Sequence, residues 1–242
     1  MISEENFSDF KCPYCQETVS FPGEDIGKVR ACPNCLEDFI VPARGESIGL
    51  RLPLPIVTSR LTLRRFNPDD WKDLLEFMQD EELFRYAGRT MNEDQILAWL
   101  EQDRGVRLTT EGQKFYLGLM LNECHKVVGY AALSLFNPVQ ADLDISLARK
   151  HQRQGLAIEA VDALLGFCFE GIKLHRVTAS CDSRNAAACK LFENVGMRRE
   201  GEFVKATPSA DGWLNTVYYA ALEEEYLGND PESGQVNGAG QH

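Results

Sequence analysis

No uninterrupted apolar run in the 242 residues approaches the ~18 that a membrane-spanning helix needs. The chain begins on the acidic, polar MISEENFSDF, which has neither the basic flank nor the apolar stretch of a secretory leader, so a cytoplasmic location is expected. Basic charge is scarce: 25 Lys and Arg stand against 37 Asp and Glu, a formal net charge of −12. Such a chain is poorly made for blanket contact with nucleic-acid phosphates, and a cationic partner suits it better. Histidine is also rare, and His125, His151 and His175 are isolated from one another. They read as surface residues. Neither G-x-G-x-x-G nor G-x-x-x-x-G-K-[ST] occurs, so a dinucleotide fold and a P-loop are not indicated. No repeat of solenoid period is present.

What is present suffices for a sizeable core, with 44% hydrophobic and 26% charged residues,. Residues 1–42 are rich in Cys and Pro and hold too little apolar material to fold around a core of their own,. Residues 43–56, with Pro53 and Pro55, read as an extended linker,. From Thr58 the patterns become regular: a strand in RLTLRRF, helices in NPDDWKDLLEFMQD and NEDQILAWLEQ, and a hairpin in KFYLGLML and KVVGYAALSL,. ADLDISLA alternates strictly, and GLAIEAVDALLGFCFEG reads as one long, mostly buried helix,. HRVTASCD is a strand, NAAACKLFENVG a helix capped by Asn185 and stopped by Gly196, and WLNTVYYAAL a final strand,. This order predicts an α/β (α+β) domain over residues 57–227. Residues 228–242 are polar and Gly-rich and are expected to be disordered,.

Of eight cysteines, four are paired as Cys12-Pro-Tyr-Cys15 and Cys32-Pro-Asn-Cys35, with sixteen residues between the pairs. Each C-P-x-C makes a tight knuckle that aims two thiolates at one point, and a loop of ~15–20 residues lets two knuckles close a tetrahedral site. The metal would then supply folding energy that the short segment lacks. The pattern resembles zinc ribbons. A rubredoxin-type iron site fits less well, because Gln16 and Leu36 stand where such knuckles usually have Gly, and disulfides do not suit the expected compartment. Four thiolates leave no position for water, so Zn²⁺ here is structural. Residues 1–45 hold eight acids against four bases, which points to protein contact rather than nucleic acid. Cys124, Cys168, Cys181 and Cys189 read as small apolar residues.

The stretch ARKHQRQGLAIEA reverses the sign of the chain: Arg149, Lys150 and Arg153 precede Gly155, with no acid among residues 145–158. A glycine-containing turn at a helix N-terminus presents free N–H groups and the positive end of the helix dipole, an arrangement suited to phosphate. A solvated basic loop capping a core helix would read the same in isolation. About thirty residues later comes DSRNAAACKLFENVGM. Together the two resemble the GNAT superfamily of N-acyltransferases, whose acyl-CoA motif Q/R-x-x-G-x-G/A corresponds to Gln152-Arg153-Gln154-Gly155-Leu156-Ala157. The family's N-x-x-[SA]-x-x-[LV]-x-E-x-x-G is matched by Asn185, Ala188, Leu191, Glu193 and Gly196. TSRLTLRRFNPDDWKDLLEF and ADLDISLARKHQRQGLA look like the subgroup that acetylates ribosomal-protein N-termini and related amines. The resemblance covers residues 57–223.

The resemblance implies a GNAT fold with a mixed central sheet and acetyl-CoA as co-substrate. Its pyrophosphate would lie on the amides from Arg153 to Ala157. Its pantetheine arm would lie against the main chain of Leu147, Ala148 and Arg149 and against Asn185. The implied reaction is direct attack on the thioester by a primary amine, either a protein N-terminus or a small cationic molecule. A backbone N–H near Leu147 or Ala148 would hold the oxyanion. Asp142 and Asp144 are the candidate bases, Asp142 being nearer the family's acidic position. Ala188 and Phe192 replace the side chains that relatives use as proton donors, which leaves Tyr218, Tyr219 or departure as thiolate. The same departure allows an alternative, a non-catalytic acyl-CoA sensor acting through ribbon contacts.

Overall fold

The computed structural model describes residues 7–85, 90–110, 112–209 and 212–228. Two hairpins come first. β1 (Phe7–Lys11) pairs with β2 (Thr18–Pro22), and β3 (Val29–Ala31) pairs with β4 (Asp38–Ile40), to which β5 (Leu50–Arg51) is added. Each hairpin turns through one C-P-x-C, and the turns are built alike. Cys12 and Cys32 donate their amides to Glu17 O and Glu37 O, while Gln16 and Leu36 donate back to Cys12 O and Cys32 O. Gln16 and Leu36 take left-handed φ angles of 63° and 61°. Beneath the knuckles Phe10, Phe21 and Phe39 meet edge-on or stacked, with Val19 and Val41 around them. Contrary to the expectation from composition, the segment therefore has a small core of its own, made by three phenylalanines far apart in sequence.

The segment read as a linker is largely paired. Besides β5, Ile48 bridges to Lys11, and β6 (Ile56–Val57) joins the main sheet. The chain continues through β7 (Leu61–Arg64), α1 (Trp71–Met78), α2 (Glu93–Arg104), β8 (Phe115–Leu121), β9 (Val127–Asn137) and β10 (Gln140–Leu147). Then follow α3 (Leu156–Gly166), β11 (Arg176–Asp182), α4 (Ala186–Asn194), β12 (Arg198–Ser209), β13 (Gly212–Leu222) and α5 (Glu223–Gly228). Eight strands form one mixed sheet in the order β12-β13-β11-β10-β9-β8-β7-β6. Among the described strands only β10 and β11 run parallel. α2 opens with a reciprocal cap, Gln95 N on Asn92 Oδ1 and Asn92 N on Gln95 Oε1,. The long helix expected after Gly155 is two pieces, because α3 passes into a π-helical turn at Phe167–Gly171.

One face of the sheet packs on α3 and α4 through Leu117, Leu133, Leu143, Val177 and Tyr219 against Val161, Leu164 and Phe169. The other face meets α1 and α2 through Val127, Leu74, Phe77 and Ile96. Val29 and Ile40 of the N-terminal hairpin belong to the first of these cores. Arg107 reaches Glu37 at 2.5 Å, and Thr109 donates its amide and hydroxyl to Asp38. The β3–β4 hairpin is thus seated on the segment between α2 and β8. Phe169 is fully buried; Phe169→Ala is expected to cost ~3–5 kcal/mol, read as a lower urea midpoint at unchanged m-value. No described helix is long and apolar enough to cross a membrane. The expectation of a disordered tail over 228–242 falls, beyond Gly228, outside the described residues.

Candidate active site

The sheet opens at its parallel pair. β10 and β11 are in register from Gln140 opposite Arg176 to Leu143 opposite Ala179, and no further. Beyond that point Asp144–Leu147 and Ser180–Asp182 run on without pairing to each other. A crevice beyond the carboxyl ends of parallel strands is where open α/β sheets place ligands. α3 and α4 both begin at this end.

Main-chain bonding shows which groups face the gap. Ala148 N donates to Val128 O at 2.8 Å, and Ala148 O accepts from His151 N at 2.8 Å. Both main-chain groups of Ala148, a residue expected at the pantetheine arm and the oxyanion, are therefore engaged inside the protein. In an antiparallel ladder alternate residues turn their N–H and C=O to opposite sides. With Ala148 bonded toward β9, Leu147 and Ile145 turn theirs toward the gap. The side chain of Gln152 donates to Leu147 O at 2.9 Å, consistent with that direction.

The loop between β10 and α3 takes a turn at Arg149–His151, then a left-handed residue at Arg153 (φ 59°) and another at Gly155 (φ 78°). A side chain at Gly155 would be strained at that φ. Glu159 N on Gly155 O (3.1 Å) is the first bond of α3, which leaves the amides of Leu156, Ala157 and Ile158 without intrahelical acceptors. The basic field is weaker than the sequence implies. Lys150 is paired with Glu76 at 2.7 Å and Arg149 with Asp80 at 3.4 Å, both acids from α1 or just beyond it. Arg153 makes no ion pair among the described residues. These acids, with Asp73, Lys126 and Ala148, line a cleft of ≈ 290 Å³ beside the loop. Glu76 and Asp80 lie some seventy positions before the loop, so only the packing of α1 reveals this neutralisation.

Asn185 caps α4, its side-chain oxygen accepting from Ala188 N at 3.1 Å, and its amide NH₂ is left to donate elsewhere. On the α1–α2 face, register aligns Asp142 with Thr178, and Ser180 with Tyr218. Asp142 accepts from Thr178 Oγ1 at 2.8 Å. Burial pushes its pKa above the usual carboxylate range; the Thr178 bond opposes this and the charge of Asp144 adds to it. Asp144 is held by Lys114 Nζ at 2.5 Å. Beside them Tyr116, Tyr130 and Trp99 form an aromatic wall.

The two candidate tyrosines part company. Tyr219 lies on the α3–α4 face, 1% exposed, donating to Glu193 Oε1 at 3.2 Å and packed on Phe192. Tyr218 lies on the face of Asp142 and is 39% exposed. Cys189 stands 3.6 Å from Cys181, sulfur to sulfur, facing the sheet.

The other candidate centre holds Cys12, Cys15, Cys32 and Cys35, whose sulfurs all lie within 4.8 Å of one another. Cys12–Cys35 and Cys15–Cys32 are 3.7 and 3.8 Å apart. A tetrahedron with Zn–S of ~2.3 Å has edges of ~3.8 Å, so the donor set fits zinc. Tyr14 N and Asn34 N point at Cys12 Sγ and Cys32 Sγ, as amides do in support of thiolate ligands.

Residues 60–198 match the acetyltransferase (GNAT) domain model. An uncharacterised N-acetyltransferase of Bacillus subtilis, YnaD, is 30% identical over 173 residues, 71% of this chain and 98% of that protein. The crystal structure of a GNAT-family acetyltransferase from Bacillus anthracis superposes with a TM-score of 0.64 at 27% identity, covering 70% of this chain and 98% of that one. The fold is also that of spermidine N-acetyltransferase from Vibrio cholerae, solved with CoA and spermine (TM-score 0.61, 19% identity, 70% and 99% covered). A family match over more than half the chain, which takes in the strands that part and the loop between them, means that this chain belongs to the GNAT family of acetyltransferases.

Proposed function

We propose that the protein moves an acetyl group from acetyl-CoA to a primary amine on a small cationic molecule or a protein N-terminus. The observation that carries this reading is the gap between β10 and β11, with the main-chain groups of Ile145 and Leu147 turned toward it on one side and the cap of α4 on the other. The amides from Arg153 to Ala157 bind the pyrophosphate, and Leu147, Arg149 and Asn185 line the pantetheine arm. The acceptor comes from the α1–α2 face, where Asp142 and the aromatic wall suit an amine with an apolar stem.

Asp142 lies five strand residues, ~16 Å of rise, from Leu147,, so it accepts the proton that the amine loses through relayed water, and its raised pKa brings it closer to that task. The N–H of Leu147 rather than Ala148 serves the carbonyl oxygen as it gains charge. Tyr218 is the tyrosine placed to protonate the leaving sulfur, although a thiol with pKa ~8.5 also departs as thiolate. The four cysteines hold structural Zn²⁺, and Leu36, 66% exposed at a knuckle tip, is where a protein partner would meet the ribbon. The relative that binds spermine supports a cationic amine.

Isothermal titration with acetyl-CoA, followed by turnover on polyamines and on peptides with free N-termini, tests the reading. Saturable binding with release of free thiol on one amine class is expected. Absence of binding would remove the donor assignment, and binding without turnover on either class would remove the acceptor assignment.

A further inference from the structure

Arg60, at the start of β7, reaches across to the loop that precedes α3. Its Nη1 donates to Gln154 O at 2.8 Å, and its Nε to Glu159 Oε2 at 2.6 Å. Glu159 in turn accepts at Oε1 from Thr58 Oγ1, Ser59 Oγ and Arg60 N at 2.6, 2.9 and 2.8 Å. Burial works to raise the pKa of Glu159, and these bonds more than offset it, holding the carboxyl at about 2. The carboxylate is therefore charged under ordinary conditions and takes up the charge of Arg60 locally.

The consequence lies in one peptide plane. In a trans peptide the C=O and the following N–H point in opposite directions. Fixing Gln154 O toward Arg60 fixes Gly155 N–H away from it. Gly155, with φ of 78°, has no side chain to resist a flip of that peptide, so orientation has to come from outside. Gln154 adds a local tie, its side chain donating to Lys150 O at 3.0 Å. Among the described residues, the donor that holds the carbonyl itself is Arg60.

We propose that Arg60, gripped by Glu159, is a positioning residue that locks the Gln154–Gly155 peptide with its N–H available to the acyl donor's pyrophosphate. This rests on reading that loop as the pyrophosphate site. The pair acts through geometry and not through net charge.

The test is titration of wild-type protein, Arg60→Ala and Glu159→Gln with acetyl-CoA and with S-acetylpantetheine, which ends before the pyrophosphate. In Glu159→Gln the amide nitrogen faces Arg60 Nε, a donor against a donor, while the oxygen keeps its three partners. Both variants are expected to bind acetyl-CoA about tenfold or more weakly, the scale of a lost hydrogen bond to a charged group, and S-acetylpantetheine as wild type does. Thermal midpoints and near-UV spectra establish that each variant is folded; Glu159→Gln, being isosteric, carries the test where Arg60→Ala does not fold. Wild-type affinity for acetyl-CoA in Glu159→Gln would overturn the proposal. So would a loss in Arg60→Ala alone, which would make Arg60 a plain charge on the ligand. Parallel losses on both ligands would reduce the pair to general stability. If the wild-type protein does not bind acetyl-CoA, the pyrophosphate reading itself fails, a result distinct from these.

Discussion

Asp142→Asn is expected to lower kcat for amine acetylation by ~10²–10⁴-fold, the usual worth of a positioned general base, with affinity for acetyl-CoA unchanged. The substitution is conservative in shape, and the new amide oxygen can still accept from Thr178 Oγ1, as the carboxylate does at 2.8 Å. What is removed is the capacity to take a proton. The pH profile gives the sign. A base works only when ionised, so wild-type kcat/KM rises as pH passes upward through the pKa of Asp142, which burial places above the ordinary carboxylate value. That limb is expected to vanish in Asp142→Asn, leaving only the limb from deprotonation of the free amine. Asp144→Asn is the contrast: its carboxylate is tied to Lys114, so a loss of only a few-fold is expected for an exposed pair of this kind. Full activity in Asp142→Asn, or a larger loss in Asp144→Asn, would reverse the assignment.

The second large effect is on folding. Purified protein is expected to carry one Zn²⁺ per chain by elemental analysis, and Cys32→Ser to carry none. Zinc sites of this kind contribute an apparent ~10–16 kcal/mol of folding free energy in isolated fingers. Here the small Phe10–Phe21–Phe39 core offsets part of the loss, and the seat against Arg107 and Thr109 another part. Residues 7–51 are nonetheless expected to become cleavable by protease in Cys32→Ser and in chelator-treated wild type. Because Val29 and Ile40 contribute to the main core, the thermal midpoint of the whole protein should fall as well. A zinc-free chain with an intact ribbon and unchanged midpoint would remove the metal assignment.

Local pattern carried much of this architecture. The strict alternation of ADLDISLA placed Asp142 and Asp144 on one face, and the glycine before a buried helix marked the loop. The same alternation says that Tyr218 and Tyr219 face opposite ways, but not which faces the site, because that depends on the register of β13 against β11. The spent amide of Ala148 was equally hidden, since its acceptor Val128 lies on another strand. So was the seat of the ribbon: Glu37 and Asp38 find Arg107 and Thr109 some seventy positions away, and no periodicity spans such a distance. The cysteine knuckles were legible because their chemistry is complete within a few residues, whereas the neutralisation of Arg149 and Lys150 needed the packing of α1.

The short register between β10 and β11 also has a mechanical side. Every other seam of the large sheet is antiparallel; this one joins its two halves over a ladder half as long as that between β9 and β10. The β7–β8 ladder is as short but uses all of β7; here about half of each strand is left unpaired to the other. Under load, or in spontaneous opening, the middle of the sheet should therefore begin to part at this seam, like a jacket fastened only at the collar. A molecule lying in the gap and bonded to both edges would close the remaining length, so occupancy should slow amide exchange in β11 and β13 as well as in the loop it touches.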